Sequence, residues 1–231
     1  MKLLLTSNGI TSPELKEAFL EMTNGRTDLK VAIILTAGDP IEWIQDKEDG
    51  KKYVAKLLKQ NKLEDSKTYL KYKQKGCSII DGDLKQDPDV LKEKLQNVDI
   101  IDVGGGDANW LLDWAKKSRL DTYMKDLLDK GVVYIGESAG SMLPLPDIGL
   151  TWWEPDQGAD HIGLGLVDFV ITPHQKEGDI FKSAESLAER KKYLQSLIDF
   201  PWRVYLLQDG QAIKVDGDKT EHIGPGGKRF V

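Results

Sequence analysis

Short apolar runs recur along the chain with polar, helix-forming stretches between them: KLLL (2–5), VAIIL (31–35), CSII (77–80), VDIIDV (98–103), VVYIG (132–136), VDFVI (167–171) and RVYLL (203–207). Most of these runs lack strict alternation of apolar and polar positions, which is the mark of strands covered on both faces. They predict a mostly parallel sheet sandwiched by helices. The intervening segments agree, because Ser12-Pro13-Glu14 places a capping serine before a proline at a first helical position, and Asp87-Pro88 opens 87–96 in the same way. Alternation of this kind means a doubly wound α/β fold with helices on both faces. After Leu207 the pattern changes: DGQAIKVDGDKTEHIGPGGKRFV alternates short strands with Asp-Gly and Gly-Gly turns, which predicts a C-terminal β-hairpin. The lysine-rich segment 40–76 carries a regular set of apolar positions and is expected to form one or two amphipathic surface helices, with a binding face as the alternative.

At 231 residues the chain can bury one substantial core, so a single domain over 1–231 is expected. With 40% hydrophobic and 30% charged residues and a formal charge of −6, the composition argues against nucleic acid or anionic membrane as a general partner. A small or peptide-like substrate is expected instead, handled by a monomer or a homodimer. The opening MKLLLTSNG has too short an apolar stretch for a signal peptide or a membrane span, so a cytoplasmic location is expected. The single cysteine, Cys77, excludes an intrachain disulfide and reads as a core thiol at the start of a buried strand.

Candidate chemistry begins at Tyr134–Met142, YIGESAGSM, where Ser138 stands between Gly136 and Gly140 directly after a buried strand. A strand–turn–helix carrying G-x-S-x-G is a nucleophile elbow, in which small flanking residues let the backbone turn sharply and project the serine hydroxyl above the sheet edge. Such a hydroxyl attacks only if a base takes its proton, and histidine is the usual base at neutral pH. The chain has three histidines. His222 falls in the terminal hairpin and His161 in the loop GADHIGLG, whereas His174 follows VDFVITP at the carboxyl end of a strand, the edge where open α/β sheets bind ligands. His174 is therefore the candidate base. A second glycine cluster, Val103-Gly104-Gly105-Gly106-Asp107, joins a strand to a helix. It can cradle a phosphate, although it lacks the spacing of nucleotide loops, or supply one amide of an oxyanion hole whose other amide is that of Ala139.

Taken together, DVGGGD, GESAGS and VITPHQ resemble, in this order and at similar separations, the motifs of the peptidase E and cyanophycinase family of serine peptidases. The resemblance implies an α/β sandwich related to class I glutamine amidotransferases, with Ser138 as nucleophile, His174 as general base and acid, and Gly106 and Ala139 as oxyanion donors. It implies no cofactor, and the chain has no H-E-x-x-H or paired-cysteine metal signature. A third member should orient the imidazole. In peptidase E it is an aspartate between serine and histidine, a position that aligns here with Trp153 in PDIGLTWWEPDQ, so Glu154 is the first choice, ahead of Asp147 and Asp156.

Further departures bear on substrate. Asp107 replaces the family's common asparagine and Ala108 its threonine, which sets a negative charge beside Gly105 at the expected substrate pocket and disfavours an anionic side chain. The arginine-bearing stretch that follows the histidine in peptidase E reads SAESLAERKKY here, leaving Arg190 and Lys176 as the available cations, so specificity for aspartyl dipeptides is not expected. Trp152 and Trp153 can line the pocket or join Trp110 and Trp114 in the core, and Glu137 reads as an elbow residue facing a neighbouring loop. The expected activity is hydrolysis of short peptides or dipeptide-like amides. The alternatives are an esterase of the α/β-hydrolase type and a binding or regulatory protein with a broken triad.

Overall fold

The computed structural model describes residues 1–45, 52–56, 62–151, 161–175, 184–197 and 200–231. The unalternated apolar runs become the centre of a mainly parallel sheet. Strands β1 (Lys2–Thr6), β2 (Lys30–Ile34), β5 (Ser78–Asp81), β6 (Ile100–Val103) and β7 (Val133–Glu137) all run parallel, and β10 (Ala212–Asp216) and β11 (Lys219–Ile223) extend the sheet as an antiparallel hairpin. The order is β11-β10-β1-β7-β6-β2-β5. Successive side chains on a strand point to opposite faces, so Leu4 packs with Leu15, Phe19 and Tyr72 on one side while Leu3 and Leu5 pack with Leu111, Leu127 and Met142 on the other. Both faces are apolar because both are covered.

Helices α1 (Pro13–Met22) and α2 (Lys67–Gln74) cover the first face. Helices α3 (Pro88–Leu95), α4 (Ala108–Lys117), α5 (Met124–Asp129) and the short α6 (Ala139–Met142) cover the second. The expected caps form: Ser12 Oγ accepts from the Leu15 amide, and Asp87 accepts from the amides of Asp89 and Val90. Helix α7 (Ala184–Leu197) follows β8 (Phe169–Thr172) in the chain.

Three expectations are corrected here. The segment 40–76 holds an antiparallel pair, β3 (Ile41–Gln45) with β4 (Lys52–Lys56), and only its later part is the helix α2. Isoleucine, tryptophan, tyrosine and valine in those two stretches favour strands over the helix that their spacing suggested. The runs at 167–171 and 203–207 leave the main sheet: β8 pairs in parallel with β9 (Arg203–Leu206), and β12 (Arg229–Phe230) joins β9 antiparallel. The edge of β1 that a further parallel strand would need is taken by β10. Cys77 lies just before β5, a strand at the sheet edge, and is partly exposed.

The carboxyl ends of β1, β7, β6 and β2 share one edge, and the loops that leave them carry Ser7, Ser138, the three glycines and Ala37. Among the described residues no helix is long and apolar enough to cross a membrane.

Candidate active site

The turn between β7 and α6 puts Ser138 at φ 51° and ψ −111°, a conformation that side chains disfavour. Such strain costs about 1–3 kcal/mol and persists only where the surroundings impose it. Here they do. A Cβ on Gly136 would stand 2.7 Å from Gly140 backbone atoms, and a Cβ on Gly140 would stand 2.0 Å from the Val103 carbonyl oxygen. The space is filled by main chain, so both glycines of the motif are obligatory. Around them Tyr134 Oη donates to the Gly140 carbonyl at 2.6 Å, Ser141 Oγ to the Thr6 carbonyl at 2.8 Å, and the Ser138 amide to that same carbonyl at 3.1 Å.

His174 reaches this turn from the end of β8. Its backbone is left-handed, φ 59°, and its amide donates to Ser7 Oγ at 2.9 Å. The ring Nε2 lies 2.9 Å from Ser138 Oγ, and Nδ1 lies 2.8 Å from Asp209 Oδ1. A carboxylate only accepts hydrogen bonds, so the proton belongs on Nδ1 and the Nε2 lone pair faces the serine hydroxyl. Ser7 Oγ also donates to Asp209 Oδ1 at 3.0 Å, tying the acid and the imidazole's own backbone to one buried hydroxyl. The Asp209 turn is held further by the Ser7 amide on the Gln211 carbonyl at 3.0 Å and the Gly210 amide on Asn8 Oδ1 at 2.9 Å. The His174 and Asp209 side chains are 37% and 44% exposed, so solvent and small molecules reach them.

The glycine loop lies across the elbow. The Gly104 amide donates to the Ile34 carbonyl at 2.9 Å and the Asp107 amide to the Ala37 carbonyl at 2.8 Å. Gly106, at φ 149°, has no room for a side chain, since its Cβ would meet the Ala37 oxygen at 2.1 Å. A Cβ on Gly105 would lie 3.1 Å from Ser138 Cβ, so this backbone rests directly against the serine. Among the described residues no backbone carbonyl accepts from the amides of Gly106 or Ala139. Asp107 Oδ1 accepts from the Trp110 amide at 2.9 Å and caps α4. Asparagine and aspartate cap a helix equally well, and the positive helix end offsets the charge.

Of the carboxylates weighed from the sequence, Glu154 and Asp156 lie outside the described residues, as do Trp152, Trp153 and Lys176. Asp147 Oδ1 accepts from the Gly149 amide at 2.6 Å. The acid that touches the imidazole is Asp209, which the sequence reading passed over as part of an Asp-Gly turn. Its signal lay in pairing two runs already seen: β8 and β9 are parallel with Thr172 opposite Leu206, so the residues just past their carboxyl ends, His174 and Asp209, emerge side by side. The other histidines do not take part. His222 on β11 sits 3.1 Å from Gln211 Oε1, and burial, with Lys228 nearby, lowers its pKa to about 4. His161 packs against Gly149.

Two further acids line the α2 side of the sheet. Asp102 on β6 is buried, accepts from Tyr72 Oη at 2.7 Å, and is pushed up to about 6 by desolvation. Glu137, the residue before the serine, is half-buried, and burial raises its pKa against the opposing pull of His174, Lys71 and Lys67.

The fold and the site together define an α/β protein with a hydroxyl–imidazole–carboxylate series at the carboxyl edge of its parallel sheet. The model of peptidase family S51 matches residues 3–223, and the chain belongs to that family. An uncharacterized peptidase of Listeria innocua is 28% identical over 213 residues, 88% of this chain and 92% of the relative. Peptidase E of Streptomyces coelicolor is 27% identical over 128 residues, 55% of this chain and 53% of that protein. Among solved structures, a Listeria monocytogenes protein provisionally assigned as peptidase E superposes with a TM-score of 0.65 at 21% identity, covering 97% of this chain and 98% of the other. At that identity the superposition speaks for the fold.

Proposed function

We propose that this peptidase hydrolyses short peptides or dipeptide-like amides through an acyl-enzyme on Ser138. As the Ser138 oxygen bonds to the substrate carbonyl carbon, His174 Nε2 takes the hydroxyl proton and Asp209 stabilises the resulting imidazolium. The carbonyl oxygen becomes an oxyanion facing the free amides of Gly106 and Ala139. When the tetrahedral adduct collapses, the carbon–nitrogen bond breaks and His174 returns the proton to the leaving amine. Water then attacks the ester by the same route, its proton passing through His174 back to Ser138 and the acid product departing.

The observation that carries this reading is the unbroken series Ser138 Oγ, His174 Nε2, His174 Nδ1, Asp209 Oδ1, with contacts of 2.9 and 2.8 Å. Family membership favours amides over esters as the natural substrates. The test is a dipeptide library incubated with the protein and read by mass spectrometry. A subset of dipeptides should be cut by the wild type, with the rate falling by a factor of roughly 10⁴–10⁶ in Ser138→Ala. Cleavage that survives in Ser138→Ala, or cleavage of p-nitrophenyl esters with no dipeptide cut, overturns the proposal.

A further inference from the structure

Ser138, His174 and Asp209 stand on three separate loops, yet one short stretch at the end of β1, Thr6-Ser7-Asn8, is bonded to all of those loops. The Thr6 carbonyl accepts from the Ser138 amide at 3.1 Å and from Ser141 Oγ at 2.8 Å. Ser7 Oγ accepts from the His174 amide at 2.9 Å and lies 3.0 Å from Asp209 Oδ1, while Asn8 Oδ1 accepts from the Gly210 amide at 2.9 Å. The frame is firm. β1 pairs with β7 on one side and β10 on the other, and both Thr6 and Ser7 are fully buried.

Ser7 is the centre of this arrangement, because the His174 amide can only donate and so leaves the serine's hydroxyl proton for the carboxylate. Each partner is held by a separate function of one oxygen. Asp209 Oδ1 receives Ser7 Oγ and His174 Nδ1 together, so rotating the carboxylate out of the imidazole's reach breaks both bonds. Solvent reaches the Asp209 side chain, which is 44% exposed, and water alone satisfies a charge of that kind. What Ser7 adds is direction. It also restrains His174 in a left-handed backbone conformation, φ 59°, that side chains disfavour.

We infer that Ser7 is a positioning residue, whose hydroxyl holds the Asp209 carboxylate and the His174 ring in the mutual orientation that keeps Nε2 on Ser138. The inference rests on the hydrolase reading and adds to its series a buried member that no substrate touches. Its loss therefore falls on the chemical step and leaves substrate binding alone.

The experiment measures kcat and KM on the best dipeptide for the wild type, Ser7→Ala, Asp209→Asn and the double variant. Losing a hydrogen bond to a charged group corresponds to roughly tenfold to a hundredfold, which should appear in kcat of Ser7→Ala with KM within about twofold. In the Asp209→Asn background the same change should cost about threefold or less, because the partner it orients is already disabled. A kcat of Ser7→Ala within about threefold of the wild type, a loss carried by KM, or full additivity with Asp209→Asn overturns the inference. Ser7→Cys, close to serine in size but a weak donor, guards against loss of the fold and should show the same fall in kcat. A folded Ser7→Cys with the wild-type kcat also overturns the inference. A second arm needs no turnover: NMR of ring-nitrogen-labelled histidine reads which His174 nitrogen carries the proton. The wild type should hold it on Nδ1, and Ser7→Ala should shift part of it to Nε2. An unchanged tautomer overturns the inference, whereas the shift in a protein whose wild type cuts no dipeptide supports the positioning role and sinks the hydrolase reading alone.

Discussion

Ser138 and Asp209 stand at the two ends of one hydrogen-bonded series, and the chain holds them by different means. The serine is fixed by crowding: main chain occupies the space where Gly136 and Gly140 would carry side chains, and only the strained turn fits. The aspartate is fixed by hydrogen bonds from the polar segment after β1, where Ser7 and Asn8 grip the turn at 209–211. Crowding restricts which residue can stand at a position, and so it marks the sequence. Hydrogen bonding from serine or asparagine leaves no comparable mark, because those residues are common in any loop.

That contrast can be broken from either end. The larger effect is expected at the acid. Replacing Asp209 by asparagine keeps the shape but lets the imidazole adopt the wrong tautomer, and cleavage of the best dipeptide should fall by a factor of about 10⁴ with the fold intact. Glu154→Gln should cost less than about tenfold on the same assay. The reverse ranking would return the acid's role to the segment at 152–160. A smaller effect is expected at the elbow, where Gly140→Ala drives a Cβ against the Val103 carbonyl and displaces the serine. A misplacement of about 1 Å costs on the order of a hundredfold. A Gly140→Ala variant with wild-type turnover would show that the turn is softer than its packing implies.

The same division accounts for how much could be read in advance. The parallel strands were legible because burial on both faces removes alternation, as in KLLL, where Leu3, Leu4 and Leu5 are each fully buried. The glycine loop and the elbow were legible because glycine is demanded there by contact with Ala37, Val103 and Gly140. Pairing was not legible. VDFVI and RVYLL carry the same pattern as the central strands, and nothing in them says that β10 already occupies the edge beside β1. Without that pairing, the meeting of His174 with Asp209 stays hidden, and the search for an acid turns to residues between serine and histidine. Helical spacing in 40–56 misled for a related reason, since the two stretches that pair as a ribbon carry apolar residues at intervals that a helix can also satisfy.

The account stands or falls on whether Ser138 is an activated nucleophile. Intact-mass spectrometry after treatment with a fluorophosphonate probe tests this most directly. The account predicts one adduct per chain, mapped to the peptide containing Ser138 and absent in Ser138→Ala. A folded protein that takes up no probe, or an adduct that persists in Ser138→Ala, would contradict it.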